Sequence, residues 1–286
     1  RILGSFVPGS RLPVLIAKWI WSTICWKTGV LASVSRSSCI GLLYLYYIYN
    51  TGVWVVLHWL IVDVLAIWPA IMARSRFGGT MIAIVDYDAG NLRSVQRACE
   101  HVGLDAEITM DPEVIGRSDK LIFPGVGSAE SAVDTLQHRG LDKAILEFFA
   151  SGKPILGICL GLQIALEHSE EGDKECLGIV EGACERFMFS DKKLKVPHIG
   201  WNEVQIVTAH PMLESIEDGD EFYFVHSYFA HPRSAANVFG QTTYGDRTFA
   251  SVISRDNFFA TQFHLEKSGE KGLRLLSSFA QWNGTC

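Results

Sequence analysis

Residues 154–163 read Pro154-Ile155-Leu156-Gly157-Ile158-Cys159-Leu160-Gly161-Leu162-Gln163. An apolar, strand-like run ends at Gly157, a cysteine stands between two glycines, and a helical pattern follows from Leu160 to Glu171. A G-x-C-x-G turn between a strand and a helix is the cysteine form of the nucleophile elbow. Such a turn is tight and strained, and a Cβ at either glycine is expected to block a substrate's approach. A sulfur at a helix N-terminus meets unpaired N–H groups and the positive end of the helix dipole, which favour a thiolate. Read alone, the same residues also fit a buried cysteine in an ordinary strand-to-helix turn, so the nucleophile reading needs a base.

Working back from the elbow, Met81-Ile82-Ala83-Ile84-Val85 is a short apolar run of buried-strand type, followed by the loop Asp86 to Asn91. A helix is predicted from Leu92 to Val102, a second strand from Asp105 to Met110, and a third at Lys120–Phe123 running into Pro124-Gly125-Val126-Gly127. Helices are expected at Ser131–Gln137 and Leu141–Ser151 before the strand that leads to Cys159. Strands alternating with helices indicate βαβ units and a mostly parallel sheet with helices on both faces. In such sheets sites lie beyond the carboxyl ends of the strands, where both Pro124–Gly127 and Cys159 fall. Working forward, shorter strand-like pieces occur at 222–225, 250–253 and 258–263, and a helix closes the chain at about 271–282.

The run Phe258–Phe263 leads into His264-Leu265-Glu266. On a strand, residues i and i+2 share a face, so the carboxylate of Glu266 is expected to hold and polarise the imidazole of His264. Alone, H-x-E is a weak signal that a surface pair satisfies equally well. With an elbow cysteine upstream it becomes the base and orienter of a Cys-His-Glu triad. The order Cys…His…Glu separates it from the hydrolase order, in which the acid precedes the histidine. The glycines of Pro124–Ser128 let backbone N–H groups turn toward a neighbouring oxyanion, although a plain glycine turn would look the same. No G-x-x-x-x-G-K-[ST] phosphate loop is present.

The bulk properties narrow the class. The 286 residues carry a net charge of −6, which argues against a nucleic-acid partner. The seven cysteines (Cys25, Cys39, Cys99, Cys159, Cys176, Cys184 and Cys286) form no C-x-x-C pair and no metal spacing with histidine, as expected of free thiols in a reducing compartment. Residues 1–80 stand apart. They hold seven basic residues and one acid, leaving 18 basic and 30 acidic residues to the remainder, and six of the eight tryptophans. Residues 37–62 contain no Asp, Glu, Lys or Arg, a length that could cross a bilayer as a helix, but Asn50-Thr51-Gly52 interrupts them and Asp63 follows. The run is too late and too long for a signal peptide. The chain opens on Arg1, and Met81 starts the first strand directly. We therefore expect residues 1–80 to be an extension foreign to the working domain, 81–286, with a membrane anchor as the alternative.

Several motifs together resemble class I (triad-type) glutamine amidotransferases, and more closely the glutaminase subunits of imidazole glycerol phosphate synthase. They are Val85-Asp86-Tyr87-Asp88-Ala89-Gly90-Asn91-Leu92-Arg93-Ser94-Val95, Pro124–Gly127, Gly157–Gln163, Pro197-His198-Ile199-Gly200-Trp201-Asn202, Phe224-Val225-His226-Ser227-Tyr228 and Gln262–Ser268. The similarity covers essentially all of 81–286 and none of 1–80. It implies a flavodoxin-like α/β fold, with Cys159 attacking the side-chain amide of glutamine, His264 protonating the departing ammonia and Glu266 orienting His264. It further implies oxyanion donors at the backbone of Val126 and Leu160, and a glutamine pocket of Gly127, Gln163, Glu171, His226, Ser227 and Tyr228. Trp201, Asn202 and Lys267 would face a (β/α)-barrel cyclase subunit in a heterodimer that receives the ammonia, although Trp201 also fits a core position. The resemblance implies no metal or organic cofactor, a cytoplasmic location, and no membrane association unless residues 1–80 are native. Leu265 departs from the family's usual proline between histidine and glutamate, so some loss of rigidity is expected there, without loss of chemistry. Another class I amidotransferase serving a different acceptor, or a membrane-anchored binding module with a dormant domain, are the rival readings.

Overall fold

The structure, a computed structural model, describes residues 80–285; the expectations for 1–79 lie outside them. In chain order the first half contains β1 (Ile82–Val85), α1 (Leu92–His101), β2 (Ala106–Thr109), α2 (Pro112–Arg117), β3 (Lys120–Gly125), α3 (Ala129–Arg139), α4 (Leu141–Ala150), β4 (Ile155–Cys159) and α5 (Leu160–Gln163). The second half contains β5 (His168–Ser169), β6 (Lys174–Glu175), β7 (Gly182–Arg186), β8 (His198–Ile206), β9 (Asp220–His226), β10 (Tyr228–Pro232), β11 (Val238–Tyr244), β12 (Arg247–Arg255), β13 (Phe258–Thr261) and α6 (Gly269–Gln281).

Five strands in the order β2-β1-β3-β4-β13 form a parallel block, and β12, β10 and β7 continue the sheet from β13. β12 pairs antiparallel with β13, and β8, β9 and β11 join as an antiparallel wing. The apolar runs are buried on both sides, and alternate residues go to opposite faces. Ile82 and Ile84 pack with Leu92, Val95 and Cys99 of α1 and with Leu275, Leu276 and Phe279 of α6. Ala83 and Val85 pack with Ala132 and Leu136 of α3 and Ile145 and Phe148 of α4. This is the doubly wound arrangement that the β-α alternation predicts. Among the described residues no helix is long and apolar enough to cross a membrane.

Two local expectations change. The helix predicted from Leu160 to Glu171 stops at Gln163. Ile164, Ala165 and Leu166 are buried on every side, and their backbone groups pair with a neighbouring segment (Leu177 N to Ile164 O, Val180 N to Ala165 O, Gly178 N to Leu166 O). Tertiary pairing there replaces the i to i+4 ladder. Conversely, the helix Pro112–Arg117 was not expected, although its start is written in the sequence: Asp111 caps it, accepting from Glu113 N at 2.9 Å, and Pro112 occupies the first turn.

Candidate active site

Cys159 ends β4 with φ 52° and ψ −101°, a left-side conformation that a residue with a Cβ adopts only under constraint. The constraint is visible in its neighbours. β4 lies between β3 and β13, with Gly125 paired to Cys159 and Thr261 to Ile158. A Cβ on Gly161 would fall 1.8 Å from the carbonyl oxygen of Phe123, and one on Gly157 would fall 2.8 Å from Ala260 Cβ and 3.0 Å from the Phe258 ring. The glycines flanking the cysteine are therefore required by strand and helix packing, a reason beyond the tight turn and substrate approach expected from the sequence. Cys159 is nearly buried and Leu160 follows it as the first residue of α5.

β13 delivers the second part. Its pairing with β4 carries Gln262, Phe263 and His264 past the elbow, and His264 is 1% exposed. His264 and Glu266 do meet, with Nδ1 2.7 Å from Oε1. They meet for a different reason than a shared strand face: β13 stops at Thr261, and a single 3-10 turn, Leu265–Lys267, folds the carboxylate back onto the ring. The side chain of Glu266 is wholly buried, and the same Oε1 accepts a hydrogen bond from Asn91 Nδ2, a short contact across the loop after β1. Leu265, in the family's proline position, is fully buried within the core.

Because Nδ1 is taken by a carboxylate that can only accept, it carries the proton, and Nε2 is the free end of the ring. Nε2 is buried and makes no hydrogen bond within the protein. Cys159 lies within electrostatic reach of the ring without the alignment of a formed hydrogen bond. Burial alone would push the His264 imidazole down. The Cys159 sulfur and the Glu266 carboxylate outweigh this and carry it up to about 10. The site thus favours a protonated imidazole facing the sulfur.

The remaining candidates divide. Val126 is half-buried and Gly127 is exposed with φ 120°, which only glycine adopts readily. This loop is braced by Tyr87, whose hydroxyl donates to Pro124 O at 2.8 Å. A Cβ on Gly125 would lie 1.8 Å from that hydroxyl. Gln163 is buried and its amide donates to Tyr228 O at 2.9 Å. Glu171 does not sit on the elbow helix. Its Oε2 accepts from Ala129 N at 2.6 Å, at the start of the helix that follows the Pro124–Gly127 loop. Ser227 and Tyr228 are half-buried where β9 turns into β10, and His226 is buried. Trp201 is 54% exposed, which removes the core alternative, and with Tyr223 and the exposed Lys267 it forms an aromatic and cationic surface. Asn202, by contrast, turns inward: its Nδ2 donates to Thr243 O at 3.0 Å and lies 3.4 Å from His198 Nε2.

The sequence reading missed two residues at this site. Asn91 buttresses Glu266 as described, and Gln262 directs its Nε2 at Cys159 Sγ at 3.8 Å. Gln262 could have been found, since it stands two residues before His264, directly after β13. A cavity of about 850 Å³, lined in part by His101, Glu214, Arg274 and Trp282, shares no residue with this site. Among the described residues no group of three His, Cys, Asp or Glu could hold a metal ion.

The class-I glutamine amidotransferase family matches residues 83–281. The imidazole glycerol phosphate synthase subunit HisH of Thiobacillus denitrificans is 47% identical over 210 residues, covering 71% of this chain and 91% of that protein. The HisH subunit of Desulfovibrio desulfuricans is 47% identical over 207 residues, 71% of this chain and 94% of that protein. Among solved structures, PurLQS from Thermotoga maritima superposes with a TM-score of 0.55 at 18% identity, over 71% of this chain and 98% of that one. A glutamine amidotransferase structure does so at 0.55 and 17%, over 70% and 99%. At such identities these two bear on the fold alone. With an elbow cysteine facing a carboxylate-held histidine and a family match over residues 83–281, the chain belongs to the class-I glutamine amidotransferase family.

Proposed function

We propose that the chain is the glutaminase subunit of imidazole glycerol phosphate synthase, hydrolysing glutamine to glutamate and ammonia in histidine biosynthesis. The observation that carries this is the buried His264–Glu266 pair, at 2.7 Å, with its free Nε2 beside the strained Cys159. The HisH relatives support the pathway and the existence of a second subunit, here taken as a (β/α)-barrel cyclase that receives the ammonia and forms imidazole glycerol phosphate and an aminoimidazole carboxamide ribotide. The exposed Trp201, Tyr223 and Lys267 surface is the proposed docking face, and the cytoplasm the proposed location. The working domain is 81–286, and residues 1–80 lie outside it; the family match at 83–281 supports that boundary.

In the proposed mechanism His264 Nε2 holds the thiol proton, and the Cys159 thiolate adds to the amide carbon of glutamine. Backbone N–H groups of Val126 and Leu160 receive the oxyanion. The tetrahedral adduct collapses to a γ-glutamyl thioester as Nε2 returns its proton to the leaving nitrogen, which departs as ammonia. Water then adds to the thioester with His264 as base, releasing glutamate and restoring the thiol. In the free site Cys159 and Glu266 raise the basicity of the imidazole, so the ring holds a proton before the attack; once the sulfur is bonded to carbon its share of that effect falls away, which frees the proton for the amide nitrogen. Glu171, joined to the start of α3, and Gln163 border the proposed glutamine pocket with Gly127, His226, Ser227 and Tyr228.

Glutamine hydrolysis by the full chain, measured with and without the cyclase subunit, tests the assignment. Turnover is expected only with the partner and is lost in Cys159→Ala. Equal turnover without the partner, or turnover surviving in Cys159→Ala, would overturn it.

A further inference from the structure

A file of polar groups, buried beyond its half-buried first member Asn202, runs from β8 to the sulfur of Cys159, and the mechanism above leaves it unused. Asn202 Nδ2 faces His198 Nε2 at 3.4 Å; His198 Nδ1 lies 3.1 Å from His226 Nε2; His226 Nδ1 lies 2.8 Å from Tyr228 O. From the other side, Gln163 Nε2 donates to the same carbonyl at 2.9 Å and to Gln262 Oε1 at 3.4 Å. Gln262 Nε2 then faces Cys159 Sγ at 3.8 Å.

Every direction in this file follows from one atom. The carbonyl of Tyr228 can only accept, so His226 Nδ1 must carry a proton, and its Nε2, in the neutral ring, must accept. His198 Nδ1 is then the donor, and His198 Nε2 accepts from the Asn202 amide. By the same logic the amide of Gln163 is fixed with nitrogen toward Tyr228 and Gln262, which fixes the oxygen of Gln262 toward Gln163 and its nitrogen toward the sulfur. A proton added to either imidazole would set two donors face to face. Burial opposes that proton, lowering His198 to about 4 and His226 to about 3. The file is neutral, directed and nearly dry: Gln262 is 0% exposed, Gln163 5%, His226 5% and His198 3%.

We propose that Gln262 is a positioning residue for the Cys159 thiolate, and that His198 and His226 tie it, through Tyr228 O and Gln163, to the strand that carries Trp201 and Asn202. The second part rests on the glutaminase reading, in which that strand meets the partner. β8 is joined to β9 by seven register pairs, His198 opposite His226 among them, so a shift of β8 moves both rings together. The consequence is a defined path by which seating of the partner on Trp201 alters the donor aimed at the nucleophile.

The test uses the full chain with its cyclase subunit. Alkylation of Cys159 by iodoacetamide at pH 7, followed by mass spectrometry of its peptide, reads the thiolate directly. Q262L keeps the volume and removes the donor, and is expected to slow alkylation by about tenfold, as loss of a hydrogen bond to a charged group does. Should Q262L not fold, Q262M, of similar length and without a donor toward sulfur, carries the same expectation. For the second part, H198F keeps the ring stacked between Phe224 and Tyr244 but breaks the file. It is expected to lower partner-stimulated glutaminase kcat by about tenfold with KM within about twofold, and H198N, whose amide can stand in for Nδ1–H, to recover most of that loss. Wild-type alkylation rates in the Gln262 variants overturn the first part. Equal kcat in wild type and H198F, or an H198N no better than H198F, overturns the second. If the wild-type complex hydrolyses no glutamine, the functional reading fails while alkylation still decides the role of Gln262.

Discussion

Three histidines of the domain are buried and neutral, and acid should find them. His198, His210 and His226 are each at most 5% exposed. Burial lowers their basicity to about 4, 4 and 3 respectively. His210 accepts from Met212 N at 3.0 Å and leaves Nε2 to Ser254 at 3.3 Å, so it has no carboxylate to welcome a proton. In the unfolded chain all three titrate near 6.5. As pH falls from about 7.5 to 5 the unfolded state therefore takes up about three protons that the folded state refuses, and stability falls with pH. Each histidine contributes about 2 kcal/mol of loss over that span, at about 1.4 kcal/mol per unit below its ordinary pKa. Together they remove about 6 kcal/mol, which is of the order of a domain's whole stability.

The opposing groups do not cancel this. His264, raised to about 10, is protonated in both states below its ordinary pKa, so its contribution is fully present there and is lost steadily from about pH 6.5 to 10; within the pH 5–7.5 span it offsets about 1 kcal/mol of the 6. Asp220, held down by Lys271 and the Glu217 backbone against its own desolvation, acts below the ordinary carboxylate range. Urea unfolding of the full chain, followed by tryptophan fluorescence between pH 5 and 7.5, should show a slope approaching about 4 kcal/mol per pH unit at pH 5.5, and a drop in Tm of roughly 10–25 °C from pH 7.5 to 5. His210→Asn keeps an acceptor for Met212 N and should remove about one third of the slope. A slope under about 1.4 kcal/mol per unit, or one unchanged in His210→Asn, would refute the reasoning.

Cys159→Gly should relieve the φ 52° strain and raise unfolding stability by about 1 kcal/mol in urea titrations, while abolishing glutamine turnover. Gly161→Ala drives a methyl into the Phe123 carbonyl and should cost at least about 3 kcal/mol in the same titration, whereas Gly103→Ala, with open space around it, should cost only the strain of its positive φ. Asn91→Ala removes the amide that shares Glu266 Oε1 and should lower kcat by about tenfold in the partnered glutaminase assay, with KM little changed. Lys120→Met exposes the carbonyls of Phe279 and Trp282 at the end of α6 to no donor, and should lower stability by about 2 kcal/mol without touching turnover per folded molecule.

How much of this was legible depends on the range of the interactions. The apolar runs of β1, β3 and β4 are local and two-sided, and were read correctly as buried parallel strands. Cys159, His264 and Glu266 were legible because glycine spacing and H-x-E carry their chemistry within a few residues. The Leu160–Glu171 helix was overextended because Ile164–Leu166 are apolar without a polar face, and only the pairing with Leu177–Val180 says that the chain turns there. Asn91 was invisible for a stronger reason. Its partner Glu266 lies 175 positions away, and its own left-handed backbone gives no side-chain pattern to read. The antiparallel wing is legible only in fragments: β8 alternates more and less buried residues through Val204, but Gly200-Trp201-Asn202 breaks the apolar alternation that would mark a strand.

The arrangement at Cys159 also explains why the site can be both buried and charged. Glu266 is fully enclosed, and one of its oxygens, Oε2, has no hydrogen-bond partner, a state that would be very costly for an isolated carboxylate. Its compensation is the His264 ring at 2.7 Å together with the Asn91 amide, and the ring in turn is held charged by the sulfur on its other side. The protonated ring therefore sits between the Glu266 carboxylate and the Cys159 sulfur, and its charge offsets part of the cost of burying that carboxylate. Glycines 125, 157 and 161 let three backbones close around that arrangement, each at a position where one added carbon would collide with a neighbour. Chemistry and packing at this point make the same demand: the strand ends must come close enough to bury the His264–Glu266 pair against the sulfur.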